Sequence, residues 1–584
     1  MDYDMLDRIK TVKHPGPATR TYNYGATTVA ITNERNITHT YSYRAYGDPD
    51  KRELMSISVP EPGANVTITR NPIGRILTVA QGDKTRAYVY NAVGQVPAGN
   101  FLTSIIDPET DTTTFGRDQV GNMTSRSVNG TPTTGFIYDA LNRLTQINYP
   151  GGLPTVIRSY YGDGLLKDVE YGTAALRHFE YDANKNLTLD RLTVDGRIYS
   201  LGHSYSGNDG RSTTTFPSGT VVSFNPNGFG RPRAATPFAG NIDFHPSGEL
   251  KTVEYANGVT TSIALNNRLW PQQLASLRST PPLVDLKHTY TYDGTGNVKS
   301  LETRVDDIVD GLNSMPDLQY DAIDRLVLAN TTSGEARAFS YDGAGNLLSQ
   351  TKGGQILNYG YDGSNRLASI SNRPYQFAYD LYGNVVNNGT ASTPMFTYND
   401  ALQMTCFRCG QTDPVNYAYD GLNMRVRTEK GGIKTYFMYG LDGQLLLEDT
   451  PTTSSWGSDL KEYVYLQGKL VGVKAITRVG TATTTSTGSI SSLIGGNVTL
   501  TVNVSGSSPT GTVTFKEGGV PFGSPVTVTN GSASITLSSL SVGSHTITAD
   551  YSGDANNAQS STTFQVTIYN LSWLPAILQL LLDD

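Results

Sequence analysis

One short unit, repeated along the chain, constrains its fold more than any other feature. An aromatic residue, usually followed by Asp or Asn, has Gly or Asn four positions after it and an apolar residue six after it. Tyr138-Asp139-Ala140-Leu141-Asn142-Arg143-Leu144 and Tyr292-Asp293-Gly294-Thr295-Gly296-Asn297-Val298 are clear copies. Tyr320-Asp321, Tyr341-Asp342, Tyr361-Asp362, Tyr379-Asp380 and Tyr419-Asp420 open others. The anchors at 320, 341, 361, 379, 398, 419 and 439 are spaced by 21, 20, 18, 19, 21 and 20 residues. Such a ladder marks a tandem repeat. Weaker anchors continue it backwards through Ile263, Phe244, Phe224, Tyr205, Tyr181 and Tyr160 to Tyr138, and the first residues, Tyr3-Asp4, already read as the interior of a repeat.

Each unit reads as one β-hairpin. Rings at i and i+2, as in Tyr359 and Tyr361, fall on one face of a strand. The Asp side chain can accept backbone N–H groups two residues on, Gly or Asn then supplies a positive φ, and the apolar residue opens the return strand. These aspartates are expected to be structural, with no catalytic, cofactor or metal role. About 470 residues in units of about 21 give roughly 22 hairpins, or about 45 strands. Strands ~4.8 Å apart would make a flat sheet on the order of 200 Å wide. Open sheets rarely exceed about 10 strands without curling, so this one is expected to coil.

Composition agrees. The 584 residues include 60 Gly and 35 Tyr, and only 17% are charged. Tyr and Thr favour strands, and Gly and Asn accept turn dihedrals. The net charge of −7 argues against a nucleic-acid partner. No stretch is long enough to span a bilayer. The apolar run from Trp573 to Leu582 includes a Pro and a Gln and falls well short of the roughly 20 residues required.

From about Thr481 the pattern changes to alternating Ser/Thr-rich strands, such as Val498-Thr499-Leu500-Thr501-Val502 and Ala533-Ser534-Ile535-Thr536-Leu537. Turn signals stand at Gly518-Gly519 and Asn530-Gly531. This texture predicts a β-sandwich. The expected organisation is hairpins over 1–472, a Thr-rich linker over 473–480, the sandwich over 481–568 and a short apolar tail over 569–584.

The only Cys-x-x-Cys is Cys406-Phe407-Arg408-Cys409. A structural zinc site wants four ligands, and the nearest histidines, His288 and His545, lie over 100 residues away. A hairpin-loop disulfide or two idle thiols is the expectation, and no cofactor is implied. No His-Glu-x-x-His, Gly-x-Ser-x-Gly or phosphate-loop pattern occurs.

The Tyr-Asp units at this spacing resemble the YD, or RHS, repeat of bacterial surface proteins, insecticidal Tc toxin shells and animal teneurins. Tyr436-Phe437-Met438-Tyr439-Gly440-Leu441-Asp442-Gly443-Gln444-Leu445-Leu446 and Glu462-Tyr463-Val464-Tyr465-Leu466 are similar to the start of that family's core region. Gly511-Thr512-Val513-Thr514-Phe515 and Tyr551-Ser552-Gly553-Asp554-Ala555 resemble bacterial Ig-like repeats of surface adhesins. The resemblance implies an all-β protein: a coiled sheet of hairpins, an open or partial shell, followed by an Ig-like sandwich. In function it implies a non-enzymatic scaffold, secreted or at a bacterial cell surface, acting in adhesion or encapsulation. Its partners would be carbohydrate or cell-surface ligands, or an effector enclosed within a longer parent system whose export signal lies upstream. The alternatives are a carbohydrate-binding surface protein and a toxin precursor lacking its toxin end. Family shells cut themselves at an Asp-Pro-x-Gly element. Asp48-Pro49, Asp107-Pro108 and Asp413-Pro414 are not followed by x-Gly, so no self-cleavage is expected.

Overall fold

The computed structural model describes all residues except 17, 45–51, 92–98, 218, 279, 281–283, 374–375, 389–393, 451–458, 477–480, 486–488, 494–495, 505–511, 539, 552–559 and 570–584. The apolar run from Trp573 to Leu582, Asp48-Pro49, most of Tyr551-Ser552-Gly553-Asp554-Ala555 and part of the expected linker lie outside them. The described residues form an all-β protein without helix. Up to Ile476 the described residues make 44 strands, against the roughly 45 expected.

Two compact units share the chain. One comprises Met1–Leu153, Asp243–Val253 and Gly258–Leu402, and the other Pro154–Ile242, Glu254–Asn257 and Gln403–Asp584. In the first, strands from Asp2–Tyr3 to Leu144–Asn148 pair antiparallel with their sequence neighbours. A second row repeats the hairpin pattern from Thr260–Leu265 to Ala378–Tyr379 and Val385–Asn387, divided into separate sheets after Ile308–Val309 and after Leu367–Ile370. Some strands here stay part-exposed on both faces: neither Thr134–Tyr138 nor Gln355–Tyr361 has a fully buried residue.

The second unit also has two rows, Val156–Tyr160 to Val221–Ser223 and Met404–Phe407 to Lys469–Ile476. Its alternation is sharper. Asp190, Leu192 and Val194 are buried along one strand, and Tyr199 and Leu201 along the next. Each large apolar side chain buried this way contributes about 1.5–3 kcal/mol. The Ig-like module belongs to this unit. Thr481–Thr485 pairs parallel with Val498–Asn503, which pairs antiparallel with Ser532–Leu537. The facing sheet joins Ser489–Leu493, Ser560–Tyr569, Gly543–Tyr551 and Thr512–Glu517. Between the sheets lies a core that includes Val498, Leu500, Val513, Phe515, Ile547, Phe564 and Val566.

Candidate functional site

The Tyr-Asp turn is a compact device, nearly identical from copy to copy. In Asp139 to Arg143, the Asp139 N–H donates to the Arg143 carbonyl and the Asn142 N–H returns to the Asp139 carbonyl. Asp139 Oδ1 accepts the Leu141 and Arg143 N–H groups, both at 2.9 Å. The Arg143 backbone bond, first among several, holds this carboxylate below its usual range. Asp293, Asp321, Asp362, Asp380 and Asp420 accept the same two N–H groups, and Asp342 accepts the second of them. The fourth residue after each anchor has a positive φ, from 60° at Asn142 to 107° at Gly296.

Closing the turn requires a bulge. Tyr138 pairs with Leu144 while Ile137 pairs with Gln146, so one residue is skipped. The tyrosines then bind repeat to repeat. The Tyr138 hydroxyl donates to the Met123 carbonyl, Tyr320 to Val298, Tyr341 to Leu326, Tyr361 to Leu347, Tyr379 to Leu367 and Tyr419 to Met404. Each acceptor is the first residue of the previous repeat's return strand, as is Pro271, which accepts from Tyr292. Burial pushes the Tyr341, Tyr361 and Tyr379 phenols up, which keeps them protonated donors.

Two anchors move. The turn expected after Ile263 begins at Asn266, with Leu269 at positive φ, and the turn expected after Phe224 begins at Asn227. In both, an Asn able to accept the turn N–H groups decides the position, not the nearest apolar or aromatic residue. Sequence reasoning also missed turns at Asn33, Asn71 and Asp118, which lack a preceding aromatic. At two of them arginine replaces tyrosine: Arg70 Nε donates to the Leu54 carbonyl and Arg117 Nε to the Leu102 carbonyl.

In each unit, the aspartate turns of the second row seat on the opposite edge of the first, formed by its plain turns and, in the first unit, also by the Asn33 turn. Within the first unit, Arg35 reaches Asp324 at 2.9 Å and the Tyr320 carbonyl at 3.2 Å. His39 bonds the Ala322 carbonyl at 2.8 Å, and Asn365 donates to Glu109 at 2.8 Å. The approach is close enough that a Cβ on Gly343 would stand 2.3 Å from the Gly63 carbonyl oxygen.

Within the second unit the seam is buried and charged. Arg177, 1% exposed, donates to both oxygens of Asp190 at 2.6 Å and to Asp420 at 3.4 Å. Burial raises the Asp420 carboxyl above its usual range, against the pull of Arg177. At Asp195, burial is outweighed by hydrogen bonds from Arg427, Tyr436 and Lys434, and this carboxyl lies below its usual range.

The same unit holds a cleft of about 380 Å³, lined by Tyr199, Leu447 and Asp449 from the hairpins and by Phe522, Leu540 and His545 from the Ig-like module. Tyr199 donates to Asp449 at 2.9 Å, and its phenol is pushed up by burial and by that carboxylate. Ser541, His545 and Glu517 have the order of a nucleophile, base and carboxylate: His545 Nε2 lies 2.8 Å from Ser541 Oγ, and Nδ1 2.7 Å from Glu517. Nε2 also lies 2.7 Å from the Ser541 carbonyl oxygen, so one ring nitrogen meets both the hydroxyl and the backbone of Ser541 while the other meets Glu517, and the group ties this loop to the neighbouring strand. Beside it, fully buried Lys474 donates to Thr220 and, at 2.9 Å, to the Val542 carbonyl, joining the last hairpin to the module.

Cys406 and Cys409 form a disulfide. Among the described residues no group of three His, Cys, Asp or Glu side chains could hold a metal ion, and no helix is long and apolar enough to cross a membrane.

Asx-nucleated hairpins stacked in rows, with a sandwich after them, define a class of repeat-built β proteins. Residues 282–444 match the family model described as Teneurin YD-shell, and residues 483–569 match Bacterial Ig-like domain (group 3). The chain thus contains a region similar to YD-shell proteins and, after it, a region similar to bacterial Ig-like domains. Its fold is similar to the Photorhabdus luminescens Tc holotoxin pore, with a TM-score of 0.56 and 14% identity over 82% of this chain and 28% of that one. It is also similar to the crystal structure of TcdB2-TccC3-TEV, with a TM-score of 0.57 and 13% identity over 80% of this chain and 29% of that one. The chain thus spans under a third of the length of these solved chains. No curated protein matches it.

Proposed function

We propose that the chain is a non-enzymatic scaffold, the shell portion of a secreted or cell-surface assembly that works through encapsulation or adhesion. One observation carries this reading: the motif carboxylates are engaged in holding turns and seams. Asp139 and Asp362 accept backbone N–H groups and an arginine, and Asp420 accepts two N–H groups and Arg177. The disulfide supports an oxidising, extracellular setting. The motif tyrosines are tied to preceding repeats by their hydroxyls, which favours packing over sugar stacking as their role.

Two assays on one preparation test this. Retention of the purified chain on bacterial or host cells, competed by excess chain, supports adhesion. Protease resistance of a reporter fused after residue 584, lost when the scaffold is unfolded, supports encapsulation. A reporter digested at its free rate, together with no retention on cells, overturns both.

A further inference from the structure

The first unit shows how one row of hairpins receives another, and it leaves both matching edges open at its ends. In the second row the residue two after each turn Asx is part-buried against the first row, as at Ile323, Ala344 and Tyr382. Along the first row's other edge, away from the seam that holds Arg35, the same position carries large apolar side chains facing solvent. Leu6 is 71% exposed, Ile73 63%, Val120 66% and Leu141 69%. Four apolar tips at one repeat position along one edge form a pattern that scattered surface residues do not make.

The opposite edge of the second row is open too. In the first row, the plain turn at Gly82 receives Ala344, whose backbone N would lie 2.8 Å from a Cβ there. In the second row the corresponding glycine turn, Gly353-Gly354, has no seated neighbour among the described residues: a Cβ on Gly354 would meet none of them within 4 Å, nor would one on Gly334. Leu312, on the same edge, is 64% exposed. Among the described residues the unit therefore presents an apolar turn edge and a receiving edge with nothing seated on it, and its own two rows show that such edges fit.

We propose that the turn edge of the first row, through Leu6, Ile73, Val120 and Leu141, docks on the plain-turn edge of the second row in another copy of the chain. The contact continues an interface already present within the unit. It is heterologous, so each added copy exposes a fresh edge and assembly proceeds head to tail beyond the dimer.

Sedimentation velocity on the intact chain tests this. The expected result is a sedimentation coefficient that climbs with concentration past the dimer. Val120→Asp with Leu141→Asp blocks one edge, and Leu312→Asp blocks the other. Each variant alone is expected to stay monomeric with an unchanged circular dichroism spectrum, and an equimolar mixture of the two to stop at the dimer. A wild-type chain that is monomeric at every concentration overturns the proposal, as do single-edge variants that assemble like the wild type.

Discussion

The hydroxyl of Tyr361 donates to the carbonyl of Leu347, the residue that opens the return strand of the preceding repeat. The bulge beside each turn shifts the ladder, and the tyrosine of the next repeat supplies a bond at that point. The aromatic of the motif therefore belongs to two hairpins at once, which is why it recurs at the repeat period rather than at the strand period.

Tyr361→Phe keeps the ring and removes this bond. The expected loss is about 1 kcal/mol, the usual net worth of an intramolecular hydrogen bond. Tyr341→Phe should cost a similar amount, because its bond to Leu326 is 2.9 Å. Urea unfolding followed by tyrosine fluorescence measures both. A loss of several kcal/mol would mean that the ring position, not the hydroxyl, depends on the bond.

At the buried seam of the second unit, partner removal should be far more costly than charge neutralisation. Arg177→Met leaves Asp190 and Asp420 buried without their cation, and a loss of about 3–5 kcal/mol is expected. Asp420→Asn retains an oxygen for the Leu422 and Met424 N–H groups and should cost much less. Because burial raises the folded-state Asp420 carboxyl, the folded chain holds its proton where the unfolded chain has released it. Stability from this group is therefore present at low pH and lost as pH rises from the ordinary Asp range through the folded value. Asp420→Asn should gain on the wild type over that interval, as read from urea midpoints at several acidic pH values.

The disulfide between Cys406 and Cys409 closes a very short loop. Chain-entropy arguments give at most about 2 kcal/mol for a loop of that size. Cys406→Ser should therefore leave the hairpins folded, with a small drop in urea midpoint. Elemental analysis of the purified chain should show no stoichiometric zinc.

Much of the hairpin architecture could be read from the residues, because each Tyr-Asp turn is local: the Asp, the positive-φ residue and the apolar return lie within seven positions. Asn33, Asn71 and Asp118 escaped because Thr32, Arg70 and Arg117 stand where the ring was sought. An Asx followed three residues later by Gly or Asn would have found them. The seams were illegible for a different reason. Contacts such as Arg35 to Asp324 join residues 289 positions apart, and no local pattern encodes that register. The buried charges did leave a trace. Arg177 alternates with Ala175 and Phe179, and Glu462 with Leu460 and Val464, so period two already placed both on core faces.

The most demanding prediction concerns Lys474. Its side chain is fully buried, and burial drives it down to about 8 from 10.5, against the upward pull of Glu462. Below that pH the folded and unfolded states are both protonated, and the folded state bears the full cost of a buried ammonium. Between about 8 and 10.5 the folded chain releases this proton while the unfolded chain keeps it. The unfolded state then binds more protons, so stability attributable to this group rises with pH across that window, by about 3 kcal/mol in all. Other groups titrate at alkaline pH, and the informative quantity is the difference from Lys474→Met, which lacks the amine. That difference should move in favour of the wild type from pH 8 upward, because a neutral amine still donates to Thr220 and to the Val542 carbonyl. Urea unfolding of both proteins at matched pH values is the measurement. A difference that stays flat, or moves toward the methionine variant, would show that Lys474 reaches solvent and that the module does not seal it.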